Sequence, residues 1–240
     1  MKKMRTLDIM DYVKSRKRAS LAELMEKFGV STATIHRDVA ELVASGHLER
    51  IRGGVAFFQR QPCGDPSAAF SYLDRATVNL SAKRKIAEKA ARLVCEGDIL
   101  FLDSSTTTAA FADEVGKRMF TNLTIITNSV AIMEKFRKMP QNYVLIALGG
   151  TYDPLMNSFL GSAALRELER LTIAKAFVSA FGVTDKLVTT NHEHQAGLVT
   201  RVLDIAEKRY LLADKSKFGR TGLYRLATRA AFDAVITDRG

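Results

Sequence analysis

Residues 20–54, from Ser20 to Gly54, read S-L-A-E-L-M-E-K-F-G-V-S-T-A-T-I-H-R-D-V-A-E-L-V-A-S-G-H-L-E-R-I-R-G-G. Ser20 and Glu23 have the S-x-x-E spacing of a capping box, in which each side chain satisfies a backbone N–H at a helix start. Leu21, Leu24, Met25 and Phe28 follow at the spacing of a half-buried helix face. Gly29 is placed to end that helix in the left-handed conformation. Ser31 then offers a second N-cap, and Ile35, Val39, Leu42 and Val43 form a second apolar stripe. Two helices joined by a short turn containing glycine predict a helix-turn-helix. The bland alternative is an ordinary αα-hairpin with a solvated polar face.

Working outward, the second helix is the candidate recognition helix. Its face opposite Ile35 and Val39 carries Ala33, Arg37, Ala40 and Ala44, with Thr32, Thr34 and His36 on the flanks. Small residues admit a close approach to a groove, and the N-terminal residues of such a helix, here Ser31, Thr32, Ala33 and Thr34, reach base edges. Arg37 suits a phosphate or a guanine. Downstream, residues 47–52 and 55–58 flank Gly53-Gly54, the signal of a two-residue hairpin turn. Arg50 and Arg52, two apart, are expected on one strand face, where they suit the phosphate backbone. Charge of this kind also protects an edge strand. Upstream, Leu7, Ile9, Met10 and Val13 predict a third helix.

The full chain of 240 residues is 47% hydrophobic and 26% charged, an ordinary globular composition with room for one or two domains. Residues 1–60 hold 12 Lys+Arg against 7 Asp+Glu, half of the net charge of +10. That placement supports a nucleic-acid partner. Cys63 and Cys95 have no metal-type spacing, and His192 and His194 lack further ligands, so no metal and no cofactor are expected and the two histidines are read as loop residues. Asp8 and Asp11 interrupt any signal-like start, and no apolar run is long enough to span a bilayer, so a cytoplasmic protein with no membrane partner is expected.

Residues 59–79 have no sustained period and read as a linker. From Lys83 onward, short apolar runs at 99–102, 123–126, 143–148, 177–180, 210–213 and 234–237 alternate with helical patterns. That alternation predicts an α/β domain with a mostly parallel sheet. Ligands in such sheets bind outside the carboxyl ends of strands. The residues there are Asp103, Ser104, Ser105, Thr106, Thr107 and Thr108, then Thr127 and Asn128, then Gly149 and Gly150, then Phe181 and Gly182, then Asp214 to Lys217. Hydroxyls leading into a helix, with a lysine from Lys215 or Lys217, suit a small phosphorylated, hydroxyl-rich ligand. N-capping and turn formation account for the Ser/Thr run equally well.

The chain resembles DeoR-type bacterial transcription regulators over nearly its whole length. The resemblance rests on Phe28-Gly29-Val30-Ser31, Thr34-Ile35-His36-Arg37-Asp38 and Arg50-Ile51-Arg52-Gly53-Gly54 in the first part. In the second it rests on Leu102-Asp103-Ser104-Ser105-Thr106-Thr107, Thr127-Asn128-Ser129, Leu148-Gly149-Gly150 and Ser216-Lys217-Phe218-Gly219. It implies a winged helix-turn-helix over residues 1–58, a linker over 59–80, and an effector-sensing, oligomerising α/β domain over 81–240 similar to sugar-phosphate isomerases and CoA transferases. It further implies a non-enzymatic regulator, commonly a repressor, that binds double-stranded operator DNA as a homodimer or homotetramer and answers to a phosphorylated sugar or related metabolite. Asp103 to Thr107, Thr127, Asn128, Gly149, Gly150, Gly182 and Lys217 are the expected effector contacts.

His36 stands where the family has Arg, Phe181 where many members are acidic, and residues 191–201 lack the family's E-A-x-x-K-R pattern. In the related isomerases acidic residues near Phe181 and Ala174 move protons, so their loss argues against catalysis. An isomerase-like enzyme with an appended DNA-binding domain and a ligand-free architectural DNA binder remain the alternatives.

Overall fold

The computed structural model describes residues 2–44, 48–57 and 71–239. The chain divides into two compact units, residues 1–66 and 67–240.

In the first unit, α1 (Lys2–Arg16), β1 (Arg18–Ser20), α2 (Leu21–Phe28), α3 (Thr32–Ala44), β2 (Leu48–Ile51) and β3 (Gly54–Phe57) follow one another. The capping box forms: the Ser20 side chain accepts the Glu23 N–H, and Glu23 accepts the Ser20 N–H. Gly29 ends α2 at φ 60°, left-handed as expected. Ile9, Val13, Leu24, Ile35, Val39 and Leu48 close the small core. The three strands pair antiparallel in the order β1-β3-β2.

The wing departs from the sequence reading by one residue. Ile51 pairs with Gly54, so the turn residues are Arg52 and Gly53 rather than Gly53 and Gly54. Each glycine has its own cause. Gly53 takes φ 84°, and a Cβ on Gly54 would lie 2.3 Å from the Ala19 carbonyl oxygen across the β1–β3 pairing. Arg52 is therefore a turn residue and does not share a strand face with Arg50.

The second unit opens with α4 (Tyr72–Thr77) and α5 (Leu80–Ala91). Where the aperiodic reading expected linker, residues 72–77 are helical, capped by reciprocal bonds between Ser71 and Asp74. The rest of residues 59–70 lies outside the described residues. Then come β4 (Ile99–Leu102), α6 (Thr106–Gly116), β5 (Leu123–Thr127), α7 (Val130–Phe136), β6 (Tyr143–Ala147), β7 (Thr151–Asp153) and β8 (Ser158–Leu160). They are followed by α8 (Ser162–Leu168), β9 (Ile173–Val178), β10 (Gly182–Val183), β11 (Leu187–Thr190), α9 (Glu193–Ile205), β12 (Ala206–Leu212), β13 (Tyr224–Thr228) and β14 (Ala234–Ile236). His192 precedes α9 in extended backbone, outside the helix as expected, whereas His194 lies in the first turn of α9 and is not a loop residue.

All six expected strands enter one sheet, in the order β14-β12-β9-β4-β5-β6, every pair parallel. Alternate strand residues serve two cores. Leu100, Leu102, Ile125 and Phe177 pack on one side with residues of α5 and α6. Phe101, Ile126, Ala176 and Val178 pack on the other with residues of α8 and α9. The strand order runs outward from β4 in one direction and from β9 in the other. The boundary between β4 and β9 is thus a topological switch point, where α/β sheets open a crevice at their carboxyl ends. A β10-β11-β13 sheet and a β7–β8 hairpin, neither visible as periodic runs, are added around this edge.

Candidate functional site

In the first unit, Ile35, Val39 and Leu42 face the core, and Ala33, Arg37 and Ala40 lie exposed on α3. Ser31 and Thr32 are exposed, while Thr34 and His36 are half-buried. The Ser31 and Thr34 hydroxyls lie 3.0 Å apart, and the Ser31 carbonyl accepts the Thr34 and Ile35 N–H groups, so Ser31 closes the first turn. Asp38, 1% exposed, accepts from Arg5 Nε at 2.6 Å and ties α3 to α1. Arg50 and Arg52 are both exposed. The Leu21 N–H donates to the Gly53 carbonyl, which fixes the wing turn to the start of α2.

In the second unit a cavity of about 190 Å³ opens at the carboxyl ends of β4, β9 and β12. Ser105, Thr106, Thr107 and Lys217 line it, as the sequence suggested. Asp103 lies beneath, 1% exposed: its Oδ2 accepts the Ser179 N–H at 2.8 Å and its Oδ1 accepts the Ser105 N–H and the Thr108 hydroxyl. Burial pushes its carboxyl above the usual range, against those donors. Ser104 is fully buried. Ser105 caps α6 through the Thr108 N–H, leaving Thr106 and Thr107 as first-turn residues at the cavity, where helix N–H groups lack intrahelical partners.

The remaining expected contacts do not line the cavity. Thr127 donates to the Leu102 carbonyl and Asn128 to the Phe159 carbonyl. The Gly149 N–H donates to Glu167, and Gly150 lies at φ 140° against the Leu160 carbonyl. Gly182 acts at the wall, since a Cβ there would lie 2.3 Å from the Arg220 carbonyl oxygen. These residues sit at or just past the ends of β5 and β6, or pack the frame, because strand order puts β9 and β12, not β5 and β6, on the other side of the crevice.

Sequence reasoning missed Arg75, Lys83, Asn191, His192, Gln195 and Arg220, all of which line the cavity. The departure noted at residues 191–201 was an available signal, since that segment contributes three of them. Burial pushes the Lys83 ammonium down to about 8, opposed by Asp214 and assisted by Lys217 and Arg75. Burial also lowers Lys217 and Arg75, opposed first by Asp214 and by Asp103 respectively. His192 is lowered by burial and by Arg75. The carboxylates of Asp74 and Asp214 are already committed to the Ser71 and Ser216 N–H groups. Arg220 lies 4.3 Å from the centre of the Phe181 ring, where an acidic residue was the family expectation. The four cations Arg75, Lys83, Lys217 and Arg220 thus crowd one cavity, an arrangement whose chemistry suits an anion.

A helix-turn-helix unit joined to an α/β unit with such a cavity defines the class, a DNA-binding transcription regulator with a sensor domain. Residues 5–61 match the DeoR-like helix-turn-helix domain and residues 78–239 the DeoR C terminal sensor domain. The chain belongs to the DeoR family of transcriptional regulators. It is 32% identical over 240 residues to the HTH-type transcriptional regulator IolR of Bacillus subtilis, covering 100% of this chain and 92% of that protein. It is 29% identical over 237 residues to the lactose phosphotransferase system repressor of Lactococcus lactis, covering 99% and 91%. Ribose 5-phosphate isomerase A from Methanocaldococcus jannaschii overlays with a TM-score of 0.40 at 22% identity, over 57% of this chain and 53% of that one. Among the described residues no helix is long and apolar enough to cross a membrane, and no acidic, His or Cys cluster could hold a metal.

Proposed function

We propose that the chain is a cytoplasmic repressor whose hold on operator DNA is controlled by a phosphorylated sugar or related metabolite in this cavity. One observation carries the reading: among the described residues Arg75, Lys83, Lys217 and Arg220 share the cavity with two carboxylates, Asp74 and Asp214, each already accepting a backbone N–H. A phosphoryl group brings close to two negative charges and three acceptor oxygens. The first turn of α6 adds N–H donors, and Thr190, Asn191 and Gln195 suit sugar hydroxyls. Ser31, Thr32, Ala33, Thr34, His36 and Arg37 then read the major groove, with Arg50 and Arg52 on phosphates. A homodimer or homotetramer would set two α3 helices in successive grooves. The sensing unit begins with α4 on this reading, not at residue 81. The sign of regulation follows the repressors among its relatives, although one relative is named an L-fucose operon activator.

A thermal-shift screen tests it. Ribose 5-phosphate, fructose 6-phosphate and inorganic phosphate should raise the melting temperature, and the parent sugars should not. Lys217→Ala should blunt the rise. Equal effects from phosphorylated and free sugars would overturn the phosphate reading, and equal affinity for operator and random DNA would favour an architectural binder.

A further inference from the structure

We propose that Arg75 couples occupancy of the cavity to α4, the helix through which the chain enters the sensor unit. The inference rests on the anion reading above and adds the route by which an anion is felt outside the cavity.

α4 is only six residues long and supplies no strand of the sheet. Its anchor is Tyr72, 8% exposed, whose N–H donates to the Leu155 carbonyl at 2.8 Å. Leu73 is exposed, and so is Val78 just past its end. Two polar links tie α4 and the α4–α5 junction to the cavity. The Lys83 ammonium donates to the Arg75 carbonyl, and Asn79 Nδ2 donates to Asp214 Oδ1 at 3.2 Å.

The Arg75 guanidinium itself is poorly served. Its Nη2 reaches the Met156 sulfur at 3.6 Å, a weak acceptor, and its Nε is buried with no partner. The carboxylates that act on it from a distance are committed: Asp103 to the Ser179 and Ser105 N–H groups and the Thr108 hydroxyl, Asp153 to the Leu155 and Met156 N–H groups, and Asp74 to the Ser71 N–H and hydroxyl. Arginine carries five donors and stays charged, so it cannot relieve its burial by losing a proton. An anion in the cavity supplies the missing acceptor. The gain is realised only while α4 stays docked, so the ligand favours the docked helix by differential affinity for its two positions. Residues 58–70 join α4 to the helix-turn-helix unit along the chain, so a bias on α4 is a bias on the segment that carries that unit.

The test uses the full-length protein with ribose 5-phosphate or inorganic phosphate as probe, and a DNA fragment selected by the wild-type protein from a random library. Hydrogen exchange should show residues 71–79 gaining protection when the probe binds. At saturating probe, wild-type DNA affinity should change by about fivefold or more, the low end of ordinary allosteric coupling. Lys217→Ala should need more probe yet reach the wild-type change at its own saturation. Arg75→Gln, brought to its own saturation, should show a change below about twofold, a near-complete loss of coupling. Arg75→Lys serves if the glutamine variant is poorly folded, and should also lose the response because it lacks the planar fork. A wild-type-sized response in a saturated Arg75 variant, or probe binding with no change in exchange at 71–79, overturns the proposal while leaving the anion site standing. Failure of every phosphate to bind the wild-type protein sinks the site reading first, and this proposal with it.

Discussion

Asp103 Oδ2 accepts the Ser179 N–H at 2.8 Å, linking the residue after β4 to the residue after β9 across the switch point of the sheet. The same carboxylate holds the Ser105 N–H through Oδ1, so one side chain sets both walls of the cavity floor.

Asp103→Ala should therefore destabilise the protein and spoil the site together. It strands two buried N–H groups, and each costs roughly 1–3 kcal/mol when left unsatisfied. A loss of about 3 kcal/mol in urea-induced unfolding is expected, with phosphate binding abolished. Unchanged stability would show that the β4 and β9 ends are held some other way.

Anion binding should weaken as pH rises through about 8, where Lys83 loses its proton in the native protein. An unfolded lysine titrates near about 10.4, so between these values the unfolded chain binds more protons. Lys83 thus penalises the ligand-free fold below about pH 8, and the penalty is relieved as pH climbs toward about 10. A bound anion favours charged Lys83, so binding takes up a proton. Calorimetry near pH 8 in buffers of different ionisation enthalpy reads that uptake directly, and Lys83→Met should remove it.

Gly182→Ala should displace the Arg220 backbone, because the added Cβ would meet its carbonyl oxygen at 2.3 Å. Overpacking of this kind costs about 1–3 kcal/mol. Phosphate affinity should fall even though Gly182 has no side chain to offer a ligand. Tight wild-type-like binding in this variant would mean that the Arg220 wall is not part of the site.

On the DNA side, Arg37→Ala, Arg50→Ala and Arg52→Ala should each weaken binding at low salt and reduce the salt slope by about one where the lost group meets a phosphate. His36→Arg should steepen the slope by about one if this half-buried position reaches the backbone. An unchanged slope with altered site preference would assign His36 to base edges instead. Filter binding across a salt series distinguishes the two.

The linear chain determined the local grammar. The Ser20–Glu23 box, the left-handed Gly29, the apolar stripes of α2 and α3, and the six short runs of the sheet follow from spacing and from backbone preferences that need no distant partner. The wing differs by one residue because the Arg52-Gly53 turn needs a glycine only at its second position, where φ is 84°, so a Gly-Gly pair does not fix the register. The pairing of Gly54 with Ser20, a contact with β1, set it. Equally, the run after each strand could be read, but not which runs meet. Strand order is a long-range property, and it placed β9 beside β4, with β12 beyond β9, while leaving Thr127, Asn128, Gly149 and Gly150 outside the cavity lining. Arg75 lay in a stretch with no sustained period, and Lys83 read only as the start of a regular pattern. Only burial and crowding among groups far apart in sequence brought these cations together in the lining of one cavity.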